Sequence, residues 1–166
     1  MINIDTLIAE LKKVGGEDIF LAIHLSNLQN TVEVAIEKLE FICKELQKLY
    51  FDQLVCITGI DFPKENKIEI IYNFYAITQK LALAIKVSVP RGQDVLPTVP
   101  TLSHLWATAN WHEREIYDLL GIIFEGHPDL RRILLPADWQ GYPLRKDYVA
   151  QEKYHGIRVE SDTKNK

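Results

Sequence analysis

Ile68-Glu-Ile-Ile-Tyr-Asn-Phe-Tyr-Ala-Ile-Thr-Gln-Lys-Leu-Ala-Leu-Ala-Ile-Lys-Val-Ser-Val89 holds two runs of β-branched and aromatic residues around a short polar break. In the second run Leu81, Leu83, Ile85, Val87 and Val89 recur at every other position, the period of a strand with one buried face. The spacing predicts strands over 68–76 and 81–89 joined as a hairpin. Just upstream, 54–60 reads as a buried strand and Pro63-Lys-Glu-Asn66 as the turn that brings it alongside.

Working outward, Val32, Ala35, Ile36, Leu39, Ile42, Cys43, Leu46 and Leu49 form one apolar stripe at helical spacing. It predicts a helix over 31–49, with Asn30 and Glu33 as a capping box. Ile19, Leu21, Ile23 and Leu25 alternate and predict a strand over 19–25. Ile4, Leu7, Ile8 and Leu11 predict a first helix over 3–14, stopped by Gly15-Gly16. The resulting fold class is α+β. A strand–helix–strand crossover plus antiparallel hairpins builds a four-stranded mixed sheet covered by helices, followed by an irregular extended C-terminal arm.

Beyond Val89 the pattern changes. Pro90, Pro97 and Pro100 stiffen a loop; Thr101 is expected to cap a short helix through Ala109, and Asn110 a second one that ends before Gly121. From 121 to 148 neither period survives, because Gly126, Pro128, Pro136, Gly141 and Pro143 interrupt every candidate element. The stretch is nevertheless rich in Phe124, Leu130, Ile133, Leu134, Leu135, Trp139, Tyr142, Leu144 and Tyr148. The chain divides into an α/β core over 1–120, an extended partner-docking arm over 121–148, and a polar, flexible tail over 149–166.

Composition narrows the function. The 166 residues are 47% hydrophobic and 25% charged, a globular balance, and Lys+Arg 19 against Asp+Glu 23 leaves a formal charge of -4. That charge lacks the basic field of a nucleic-acid binder. Two cysteines, Cys43 and Cys56, make no framework and read as small core residues of a reducing compartment. No basic n-region precedes an apolar stretch at the N-terminus, and no apolar run approaches the ~20 residues of a membrane span. His24, His104, His112, His127 and His155 show no metal-ligand spacing, so no metal or cofactor site is expected in this chain.

Two segments carry the candidate chemistry. In Trp111-His-Glu-Arg-Glu-Ile-Tyr-Asp-Leu-Leu-Gly121, the acids Glu113, Glu115 and Asp118 could serve acid/base work together with His127. The competing reading makes them helix-terminus charges, with Arg114 and Asp118 paired four residues apart. In the second segment, Arg131, Arg132 and Arg145 alternate with large apolar groups, while Asp129, Asp138 and Asp147 cancel their charge. Arginine with aromatic anchors is interface composition and favours docking over an arm folded back on its own sheet.

A family resemblance rests on these same residues. Glu113-Arg114-Glu115, Asp118-Leu119-Leu120-Gly121, Phe124, Gly126-His127-Pro128 and Leu130-Arg131-Arg132-Ile133-Leu134 resemble the signature of one hydrophilic chain of respiratory complex I, the 30 kDa (C-type) subunit of NADH–quinone oxidoreductase. Asp138-Trp139, Gly141 and Pro143-Leu144-Arg145-Lys146-Asp147-Tyr148 are similar to that family's closing motif, and the likeness extends over about 54–148.

The resemblance implies a structural, non-catalytic subunit of the peripheral arm, docking on the large quinone-site subunit beside the other peripheral-arm chains. FMN and iron–sulfur clusters would then lie in partner subunits. Contact with the membrane would be made only through the complex, on the cytoplasmic face of the bacterial inner membrane or the matrix side of a mitochondrion. Glu113, Arg114, Glu115, Asp118, His127, Arg131, Arg132, Trp139, Arg145, Asp147 and Tyr148 become signature and interface residues. The alternatives are an equivalent scaffold in a membrane-bound hydrogenase or ferredoxin-driven complex, and a stand-alone acid/base enzyme using the 113–127 cluster.

Overall fold

The computed structural model describes residues 3–26, 29–92 and 95–159. In chain order the elements are α1 (Ile4–Gly15), β1 (Ala22–His24), β2 (Thr31–Glu33), α2 (Ile36–Lys48), β3 (Gln53–Phe62), β4 (Lys67–Ala76) and β5 (Leu81–Pro90). There follow β6 (Thr98–Pro100), α3 (Ala109–Leu120), β7 (Ile123–Glu125), β8 (Lys153–Tyr154) and β9 (Ile157–Arg158). The fold class is α+β, built on a mixed five-stranded sheet of order β1-β2-β5-β4-β3.

The hairpin read first is the centre of that sheet. β4 and β5 pair antiparallel from Lys67↔Pro90 to Ala76↔Leu81, and β3 adds to β4 with a bulge between Leu54 and Cys56. Ile68, Ile70, Tyr72 and Phe74 of β4 and Ile85, Val87 and Val89 of β5 are buried. Leu7 and Leu11 of α1 and Leu39, Ile42, Cys43 and Leu46 of α2 pack into the same cluster. The opposite face carries an ion-pair ladder, Glu65–Lys67 at 2.7 Å, Lys67–Glu69 at 2.9 Å, Glu69–Lys86 at 3.4 Å and Lys86–Glu33 at 3.0 Å.

Four expectations need correction. The helix expected over 31–49 is a strand followed by a helix. Thr31–Glu33 pairs parallel with β5, and Ala84 N–H donates to Asn30 O at 2.8 Å, so Asn30 and Glu33 form no capping box. Val32 is buried either way, which let the stripe run unbroken through the junction. This extra strand makes the sheet five-stranded rather than four. The strand expected over 19–25 shrinks to Ala22–His24: Ile19 is buried, but Leu21, Ile23 and Leu25 face solvent on an edge strand.

The third and fourth corrections concern the helix starts near 101 and 110. Residues 101–108 form turns, because the Ser103 amide bonds to Thr101 Oγ1 at 3.1 Å and the Leu105 and Trp106 amides share Leu102 O at 2.9 Å. α3 begins at Ala109 after Thr108, with no side-chain cap, so Asn110 lies inside it. Its end is as expected: Gly121 takes the left-handed conformation, φ 70° and ψ 50°.

α3 lies against β3 on the core face of the sheet. A Cβ at Gly59 would stand 2.3 Å from Leu120 Cδ1, so the missing side chain is what admits the helix. β7 returns parallel to β6 and carries Phe124 into the core. Past 148, within the stretch read as a polar tail, β8 and β9 form a short hairpin turned by His155 at φ 48° and Gly156 at φ 81°.

Candidate functional site

α3 presents its polar side chains in different directions. Glu113 is fully buried: Oε2 accepts from the Thr101 hydroxyl and Oε1 from the Leu102 amide at 2.7 Å. Burial pushes its carboxyl up to about 7, against the two hydrogen bonds that pull it down. Asp118 is equally buried but solvated by backbone. Its Oδ2 accepts from the amides of Ile133, Leu134 and Leu135 at 3.0, 2.7 and 3.0 Å. Burial raises this carboxyl, but the three amides and Arg132 outweigh it and hold the group below the usual range.

Arg132 completes that junction. Its guanidinium donates to Asp118 Oδ1 and Asp118 O, both at 2.9 Å, and to the carbonyls of Trp139 and Gly141 at 3.2 Å. One planar fork thus joins α3 to two separate stretches of the arm. The expected Arg114–Asp118 pair along the helix is absent because Arg132 has taken the carboxylate. Arg114 turns instead to Arg131 O at 3.3 Å and lies over the Trp111 ring at 4.9 Å.

His127 fixes the turn that follows β7. Its Nε2 lies 3.1 Å from Asn110 O, and its Nδ1 accepts the Asp129 amide at 3.0 Å, an arrangement that sets the neutral tautomer with hydrogen on Nε2. Among the described residues the Arg131 side chain reaches Asp129 alone, at 3.0 Å, and is 74% exposed. Glu115 faces the shallow groove between α3 and β3, lined also by Ile57, Thr58, Gly59, Ile116 and Leu144.

The closing motif is fastened to the sheet. Arg145 donates to Leu120 O at 2.8 Å and Gly92 O at 3.0 Å, and its guanidinium lies over the Tyr142 ring. Asp147 meets Arg91 at 2.6 Å; Arg91 also clasps Asp61 at 2.6 Å, and Asp61 Oδ2 accepts the Lys146 amide at 2.7 Å. Trp139 Nε1–H donates to Tyr148 Oη at 3.1 Å, and the Tyr148 ring lies against Gly141.

Glu113, Glu115, Asp118 and His127 are therefore dispersed, the first, third and fourth each committed to its own hydrogen bonds and Glu115 to a surface groove. Among the described residues no group of three or more His, Cys, Asp or Glu is placed to hold a metal ion, and no helix is long and apolar enough to cross a membrane. The arrangement joins segments. Sequence reading missed Asp61, Arg91, Thr101 and Tyr142. Asp61 had a visible signal, a carboxylate between Ile60 and Phe62 in an apolar strand, but its partners lie 30 residues or more away.

The family model for the respiratory-chain NADH dehydrogenase 30 Kd subunit matches residues 32–154, which takes in the sheet from β2 onward, α3 and the whole fastened segment. The C-type subunit of NADH-quinone oxidoreductase from Chloroherpeton thalassium is 48% identical over 75% of this chain and 51% of its own. That of Chlorobium phaeobacteroides is 47% identical over 68% and 66%, and that of Geobacter sulfurreducens 44% over 76% and 80%. The chain thus spans about half to two thirds of the first two relatives.

Among solved structures, the trypsin-resistant fragment of Nqo5 is similar with a TM-score of 0.64 and 27% identity, over 78% of this chain and 100% of that one. A chain of the membrane-bound sulfane sulfur reductase, an archaeal respiratory membrane complex, superposes with a TM-score of 0.76 over 87% and 85%, a likeness of fold alone at 22% identity. The central strands, buried acids and arginine junctions all fall within what is matched: this chain belongs to the family of the 30 kDa subunit of respiratory-chain NADH dehydrogenase, the C-type subunit of bacterial NADH–quinone oxidoreductase.

Proposed function

We propose that the chain is a structural subunit of the peripheral arm of an NADH–quinone oxidoreductase, and that residues 121–148 dock on the large quinone-site subunit. The observation that carries this reading is an inversion within the segment. Its charged groups Arg132 and Arg145 turn inward onto α3 and its C-terminal end, while Leu134 and Leu144 are 61% and 52% exposed and the Arg131 side chain is 74% exposed. A segment that commits its polar groups to its own frame and shows its apolar ones is built to be covered. FMN and the iron–sulfur clusters belong to the partner chains, and the complex holds this subunit at the cytoplasmic face of the membrane.

Arg131→Glu combined with Leu134→Asp tests the docking role, since both side chains are exposed. The expected result is an unchanged melting temperature of the free chain and loss of assembly on native gels, with loss of quinone reductase activity in membranes. Normal assembly overturns it. Mass spectrometry of chains co-purifying with the wild-type subunit tests the complex: a flavin-binding, nucleotide-binding chain is expected, and a nickel-binding large chain in its place overturns the NADH assignment.

A further inference from the structure

β3 is a terminal strand of the five-stranded sheet, 10 residues long, with β4 on one side of it. The register tells which of its backbone groups are left over. Arg91 N–H donates to Asn66 O at 3.0 Å, so Asn66 and Arg91 are a bonded pair at the end of the β4–β5 ladder. Counting by twos from there, Ile68, Ile70, Tyr72 and Phe74 turn their amides and carbonyls to β5, and Lys67, Glu69, Ile71 and Asn73 turn theirs to β3. On β5, Ala84 and Lys86 turn theirs the other way, to Asn30 and Val34, as this alternation requires. The residues of β3 opposite Lys67, Glu69, Ile71 and Asn73 are Phe62, Ile60, Thr58 and Cys56. The amides and carbonyls of Ile57 and Gly59 therefore face outward, and among the described residues no hydrogen bond reaches them.

That edge is open. From Cys56 to Phe62 it carries no Lys, Arg or Pro, the residues with which exposed edges are commonly guarded. The groove beside it is lined by Ile57, Thr58 and Gly59 in succession. Ile57 and Thr58 send their side chains to opposite faces of the sheet, so a hollow that touches all three residues follows the edge of the strand and not one of its faces. Glu115 of α3 and Leu144 stand along the same groove. Glu115 is exposed, and among the described residues no cation pairs with it.

We propose that the free edge of β3 takes up an extended segment of a partner subunit as a sixth strand, with a Lys or Arg of that segment set against Glu115 and an apolar side chain against Leu144. Backbone bonds to Ile57 and Gly59 hold the added strand, and the groove selects its side chains. The carboxylate decides between occupants. A second copy of this chain, paired through its own β3, offers Gln53-Leu-Val-Cys-Ile-Thr-Gly-Ile-Asp-Phe62, which holds no cation for Glu115. A basic segment of another chain supplies it. This contact rests on the reading of the chain as a docked subunit, and it differs from that of 121–148 in being made backbone to backbone.

Hydrogen exchange of the wild-type subunit, resolved amide by amide by fragmentation mass spectrometry, tests the contact in the free chain and in the complex purified with it. In the free chain the Ile57 and Gly59 amides should exchange about tenfold or more faster than those of Thr58 and Ile60, which are bonded to β4. In the complex they should slow by about tenfold or more, while Thr58 and Ile60 change little. Glu115→Lys, at an exposed position, should leave the melting temperature of the free chain unchanged and either lower the protection of Ile57 and Gly59 in the complex several-fold or stop assembly.

Amides of Ile57 and Gly59 already protected in the dilute free chain, or equally protected in complexes carrying Glu115→Lys, overturn the proposal. Protection that grows with the concentration of free chain makes a second copy the occupant and overturns it too. A complex that assembles with these two amides still open overturns this contact and leaves the docking of 121–148 standing. A wild-type chain that purifies without any partner overturns the docking reading, and this contact with it.

Discussion

At the scale of single residues, two acids five positions apart on one helix respond to burial in opposite ways. Asp118 is surrounded by donors and stays ionised; Glu113 has two donors and, among the described residues, no cation, and burial pushes its carboxyl up to about 7. The signs of their pH dependence follow. Glu113 is raised in the folded state, so the stability it lends is full below its ordinary value of 4.5 and is lost as pH rises from there through about 7. Asp118 is lowered, so its contribution is present above the ordinary carboxylate range and is lost only as pH falls through its depressed value. Urea melts should show stability declining between pH 5 and 8 by on the order of 3 kcal/mol, with Glu113→Gln flattening that decline.

At the scale of elements, the core rests on α2 against the sheet. Leu39 is fully buried there, and Leu39→Ala should cost about 2–5 kcal/mol in a denaturant melt, through lost contacts and the cavity left behind. Gly121 answers to two demands at once, a left-handed φ of 70° and a Tyr142 ring only 2.5 Å from where a Cβ would stand. Gly121→Ala should therefore cost about 1–3 kcal/mol and displace the Tyr142 ring, which a change in tyrosine fluorescence or ring NMR shifts would register. The central hairpin was legible in the sequence because its alternation and its turn are local. The β2–α2 junction was not. Val32 is buried as a strand residue and Leu39, Ile42 and Cys43 as helix residues, and their spacing happens to continue across the break; only parallel pairing with β5, some fifty residues on, decides it. The β-branched residues Thr31, Val32 and Val34 were the local hint.

At the scale of the whole molecule, long-range charge clasps bind the last third of the chain to the middle of the sheet. Arg91, just after β5, holds Asp61 of β3 and Asp147 near the end of the fastened segment. Such clasps are the part of the site that sequence could not disclose, since the motifs supply the groups and only the fold supplies the pairs. Arg145 and Lys146, both trypsin targets, sit within this clasp. Arg91→Ala should leave Asp61 buried without its cation, open the 142–148 stretch, and speed tryptic cleavage there several-fold relative to the wild type; mass spectrometry of the fragments locates the cut.

Three consecutive amides converging on Asp118 Oδ2 amount to a receptor for a carboxylate that the chain fills with its own side chain. Truncating that side chain turns an internal contact into a vacant anion host, still partly shaped by Arg132. Small carboxylates should then act as replacement parts. In Asp118→Ala, a protein expected to be several degrees less stable, added formate or acetate should restore melting temperature in a saturable way, while chloride at equal ionic strength should not and the wild type should ignore all three. Melting curves across acetate concentration would measure that affinity, and a variant indifferent to acetate would show that the amides do not keep their shape without the ligand they were folded around.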